Sequence, residues 1–114
     1  MILAPNTLAA RLYASMEATE HYFCNYGVNP DYRLRLEANG LRVSGMGEGD
    51  EIRIVELAGH PFFVATLFLP QARSTSSRPH PLLVGYAAAV AAWRRPDGEP
   101  RLQRSVWRVQ RGGR

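Results

Sequence analysis

The sequence predicts an α/β fold, and three observations predict it. The first is the stretch GHPFFVATLFLPQ, Gly59 to Gln71. From Phe62 to Phe68 it is apolar throughout except for Thr66, rich in aromatic and β-branched residues, and bounded by Pro61 and Pro70. Such a run is too short for a helix and matches a central strand covered on both faces. The second is a set of helical patterns at 7–13, 30–40 and 82–93. The third is a pair of short alternating strands between them, at 41–45 and 52–56. Pro70 cannot donate to a ladder, so the long strand stops there. The residues just after it sit where open α/β sheets place ligands and chemistry.

The elements follow in order. Residues 1–5 read as the stub of a strand. Thr7 to Tyr13 reads as a short helix, capped by Asn6 or Thr7, with Leu8, Leu12 and Tyr13 as its apolar side. Glu20 to Tyr26 reads as a strand, because His21, Tyr22, Phe23, Cys24 and Tyr26 favour a pleated, half-buried surface. Asn29-Pro30-Asp31 opens a second helix, with Asn29 as cap and Pro30 at the first helical position. Tyr32, Leu34, Leu36 and Leu41 are its expected apolar contacts, and Gly40 stops it. Leu41 to Gly45 and Ile52 to Glu56 form a hairpin around the turn Met46 to Asp50. A turn at 58–61 leads into the long strand, and a polar loop follows it to Ser77. Pro79-His80-Pro81 then opens a helix from Leu82 to Trp93. That helix is apolar or small at almost every position, which predicts burial on most sides.

Charge divides the chain. The formal net charge is +4, and all 14 basic residues are arginine. Residues 1–92 carry seven Arg and eight acids, a net of −1; residues 93–114 carry seven Arg and two acids, a net of +5. The sequence thus predicts a near-neutral domain at 1–93 and an Arg-rich, flexible tail at 94–114, with one extra strand at Ser105–Val109. The high pI belongs to the tail and does not make the body a nucleic-acid binder. The single cysteine, Cys24, excludes an internal disulfide and a cysteine-based zinc cluster. Neither a membrane span nor a signal peptide is legible, which points to the cytoplasm. No cofactor or metal is expected.

Several motifs carry a family resemblance. Thr7-Leu-Ala-Ala-Arg-Leu-Tyr13, the run VNPDYRLRLEANGLRVSG (Val28 to Gly45), the long strand and RPHPLLVGY (Arg78 to Tyr86) occur in one order and spacing. Together they resemble the glutaminase domain of CTP synthase, a class I glutamine amidotransferase, over residues 4 to 92. The resemblance implies the second half of a flavodoxin-like domain, a mixed sheet with flanking helices, and a setting in pyrimidine nucleotide metabolism. It also implies where the chemistry would stand. The family's strand ends in Phe-His-Pro-Glu, whose His and Glu complete a Cys-His-Glu triad. Here those positions are Phe68, Leu69, Pro70 and Gln71. The family's glutamine-binding Arg corresponds to Asn25, beside Tyr26. The loop that carries the family's nucleophile belongs to the half not represented here.

The catalytic set is therefore expected to be empty. Leu69 neither accepts nor donates a proton, and Gln71 cannot stabilise an imidazolium. Cys24 reads as a small buried hydrophobe, because no activating group neighbours it. His60 and His80 each precede a proline and read as turn or cap residues. His21 and Cys24, three apart on a strand, point to opposite faces. Tyr22, Phe23 and Tyr26 read as core packing. Three functions follow: a non-catalytic protein acting by binding or as one piece of a split domain; a subunit of a glutamine-dependent enzyme whose nucleophile half is on another chain; or an anion- or nucleic-acid-associated module acting through the tail. The first expects a protein partner supplying the missing half, or self-association.

Overall fold

The computed structural model describes residues 1–93; the Arg-rich tail and the strand expected at Ser105–Val109 lie outside the described residues. The architecture is α/β: a four-stranded sheet in the order β1-β2-β3-β4, with helices packed on it. The strands are β1 (Ile2–Leu3), β2 (Leu41–Met46), β3 (Ile52–Leu57) and β4 (Val64–Thr66). The helices are α1 (Leu8–Tyr13), α2 (Arg33–Ala38) and α3 (Pro81–Trp93). Every pairing among the described residues is antiparallel, so the sheet is not mixed. No helix among the described residues is long and apolar enough to cross a membrane.

Local signals set most of these elements. The Thr7 hydroxyl accepts from the Ala10 N–H and donates to the Ala4 carbonyl, which starts α1 as expected. Asn29 accepts from the Asp31 N–H, and Pro30 opens a 3₁₀ turn, Pro30–Tyr32, that runs into α2. The 46–50 turn closes the β2–β3 hairpin. Within the hairpin the register slips twice: Val43 pairs with Val55 but Gly45 with Ile54, leaving Ser44 extra on β2, and Met46 then pairs with Ile52, leaving Arg53 extra on β3.

The core lies where α1 and α3 cover one face of the sheet. Leu3, Ala9, Ile54, Phe68 and Leu82 form it, one or more from each of β1, α1, β3, the segment after β4, and α3. Two glycines let these layers close. A Cβ on Gly45 would stand 2.8 Å from Cγ1 of Ile54, and one on Gly85 would stand 2.6 Å from Cδ2 of Leu12. The second contact lets α3 lie directly against α1.

Four expectations are corrected. Residues 20–26 form no strand; from His21 to Tyr26 they run as an extended, exposed segment, and Cys24 is exposed rather than a buried hydrophobe. The segment pairs with neither edge of the sheet, β1 nor β4, and propensity alone does not make a strand. The run Phe62 to Phe68 is an edge strand rather than a central one: only Val64–Thr66 pair, against β3 alone, and only Phe68 is buried. On α2, Tyr32 and Leu34 are exposed, the latter 79%, and do not act as core contacts. Lastly, α3 buries only Leu82 along its length and is not covered on most sides.

Candidate functional site

The sequence-predicted site residues lie on two exposed loops. Leu69 precedes a 3₁₀ turn, Pro70–Arg73, immediately after Phe68; it is 48% exposed, and Gln71 is exposed too. Asn25 and Tyr26 lie on the extended segment, and Tyr26 is 87% exposed. Phe23 is likewise exposed, so of the three aromatics expected to pack only Tyr22 makes a ring contact. Its ring meets Phe68 edge-on at 6.1 Å, and the Arg53 guanidinium stacks over its other side at 4.0 Å. Burial pushes the Tyr22 phenol up, and the Arg53 charge partly offsets it. Arg73 also donates to the Thr19 carbonyl, tying the turn to the start of the segment. The segments that carry these residues are thus joined at Tyr22 and Thr19, and the site residues themselves offer only aliphatic, amide and phenol groups. Cys24 stands between Phe23 and Asn25 with no hydrogen-bond partner among the described residues.

A second polar cluster lies just behind them. His80 Nε2 is 2.6 Å from Glu20 Oε1, and both side chains are buried, 4% and 3% exposed. The Tyr13 hydroxyl donates to the same oxygen at 2.6 Å and lies 3.3 Å from Nε2. His80 Nδ1 accepts from the Leu82 N–H at 3.2 Å. Nδ1 therefore carries no proton, and Nε2–H is the donor to Glu20. This tautomer makes His80 the cap of α3; its carbonyl accepts from Leu83 and Val84. Burial, followed by the hydrogen bond to Glu20, pushes the Tyr13 phenol far above its ordinary range. The other oxygen, Oε2, faces Arg73 Nη1 at 4.0 Å. A cleft of ≈ 320 Å³ opens here between Tyr13, Glu20, Arg73, Arg78 and His80.

The chemistry of that cluster is structural. Its histidine has both nitrogens engaged, so it offers no free lone pair as a base. His60 is likewise a turn residue, its Nδ1 accepting from the Phe62 N–H. His21 is exposed. No group of three His, Cys, Asp or Glu side chains among the described residues could hold a metal ion.

No protein-family model matches the chain. Curated relatives do, two of which show the match. "CTP synthase" of Acidothermus cellulolyticus is 44% identical over 106 residues, covering 87% of this chain. "CTP synthase" of Archaeoglobus fulgidus is 38% identical over 96 residues, covering 83%. Among solved structures, the Trypanosoma brucei CTPS glutaminase domain with bound acivicin superposes with a TM-score of 0.74 at 28% identity, over 80% of this chain. The chain is a relative of the CTP synthase glutaminase domain. It spans 19% and 18% of the two CTP synthases and 37% of the solved glutaminase domain.

Sequence reasoning missed the Glu20–His80 pair and the role of Glu56. Glu56, placed on a strand, is buried and accepts from the Leu8 and Ala9 N–H groups at 2.9 and 3.2 Å, so a β3 carboxylate caps α1. The partners are 47 to 60 residues apart, and no local pattern links them. The one usable signal was an acid at an inward position of an alternating strand.

Proposed function

We propose that this chain does not hydrolyse glutamine and acts by binding, as one piece of a glutaminase-type domain. The supporting observation is the pair Leu69 and Gln71, at the positions where the resemblance puts the triad's base and carboxylate. Amide hydrolysis through a thioester needs a thiolate, a base that activates it and donors for the oxyanion. An aliphatic side chain and an amide provide none of the proton transfer. Cys24 is the chain's only thiol and has no base beside it. Asn25, in place of the glutamine-binding Arg, cannot make the bidentate contact to a substrate carboxylate that an Arg makes.

The test is ammonia release from glutamine by the purified chain. The expected result is no release above the buffer blank, and none from the double variant Leu69→His, Gln71→Glu, because no nucleophile faces the restored pair. Release by the unmodified chain would end this reading. A second reading, a subunit whose nucleophile is on another chain, is favoured by the Tyr22–Phe68 contact, which keeps both loops in place. It requires ammonia release only when that other chain is added.

A further inference from the structure

Helix α3, PLLVGYAAAVAAW, carries no charged residue along its 13 positions. Its inner seam is Leu82, in the core, and Gly85, against Leu12. Leu83, Val84, Tyr86 and Val90 are exposed. Phe62 meets Tyr86 edge-on at 5.6 Å, so this face continues into the segment before β4. There the sheet is open. The Phe63 carbonyl and the Leu67 N–H bond toward β3, and the alternation of an antiparallel ladder turns the main-chain groups of Val64 and Thr66 away from it.

An uncharged helix face joined to an open strand edge is not a surface built for water. We propose that it seats the portion of the glutaminase fold that this chain does not span, offered as a separate polypeptide. The proposal rests on the reading of the chain as a piece of such a domain. What identifies the occupant is the match itself. The chain superposes over 80% of its own length but over only 37% of the solved domain, so most of that domain has no counterpart among the elements seen here. The occupant has a definite chemistry: an extended strand for the edge of Val64–Thr66, and apolar side chains for Tyr86 and Val90. A second copy fits less well. Two β4 strands of three residues each give a very short joint ladder. A stable interface of standard size buries about 800 Å² per partner.

The full chain is co-expressed with the Trypanosoma brucei glutaminase domain from which the matching segment has been deleted. The expected result is a one-to-one complex by sedimentation, with the Val64 and Thr66 amides gaining protection from hydrogen exchange. Tyr86→Glu and Val90→Glu should each weaken it about tenfold or more, while Leu34→Glu, on the exposed side of α2, leaves it unchanged. Thermal unfolding of the free variants should match the parent, since both positions are already exposed. Absence of a complex, a complex indifferent to both α3 substitutions, or a homodimer that Tyr86→Glu dissolves in its place would overturn the proposal. A complex that forms and releases ammonia refutes the non-catalytic reading and leaves the surface standing. A silent chain with no complex does the reverse.

Discussion

The seam between α1, α3 and the sheet contrasts with the two loops at 20–29 and 69–73. The seam holds buried, partnered polar groups, Thr7 with Ala4 and Ala10, Glu56 with Leu8 and Ala9, His80 with Glu20 and Leu82, while Glu20 Oε2 and Ser44 Oγ are buried without a hydrogen bond. In the loops, the residues that the resemblance aligns with reactive groups are exposed, and the ties lie away from them, in the ring contacts at Tyr22 and the bond from Arg73 to the Thr19 carbonyl. A buried partner cannot be lost without leaving another group unsatisfied in a dry place. An exposed catalytic side chain can be exchanged with little effect on folding. The frame of a glutaminase domain thus persists in the seam while the loops are free to change.

Substitutions can break this comparison, beginning with the largest effect. His80→Ala should destabilise the fold by about 3 kcal/mol, because it leaves Glu20 buried without its closest partner and removes the cap of α3. Chemical denaturation with an unchanged denaturant slope measures this. A loss under ~0.5 kcal/mol would mean that the pair is not buried as described. Glu56→Gln should cost about 2 kcal/mol, since an amide offers one acceptor where the carboxylate offers two to the start of α1. The check is the same titration, together with faster hydrogen exchange at Leu8 and Ala9. The smallest effect belongs to the loops. Leu69→His combined with Gln71→Glu should leave stability within about 0.5 kcal/mol of the parent. A large change there would show that the loop tips do carry part of the fold.

Legibility in the sequence followed the range of the signal. Thr7, Asn29-Pro30 and His80 act within a few residues of their own positions, and α1, α2 and α3 begin where those residues indicate. The β2–β3 hairpin is likewise local. Burial was not local. Phe62 to Phe68 and Leu82 to Trp93 have the composition of an interior, yet burial depends on what stands opposite, and neither run is enclosed here. The segment 20–26 shows the converse error: its aromatics suit a strand, but it pairs with no strand of the sheet. For the candidate site, the identities Leu69, Gln71 and Asn25 were readable, as was the cap at His80. The bond from His80 across to Glu20 was not, since nothing in either neighbourhood predicts the other.

The Glu56 cap also orders events in time. Helix α1 has six residues, too few to persist alone in water. Two of its leading amides wait for a carboxylate 47 and 48 residues further along the chain. Helix α1 therefore has no lasting shape until the hairpin has formed and swung Glu56 beneath it. It is among the later parts to settle, and the loop that must close first is the short one between β2 and β3.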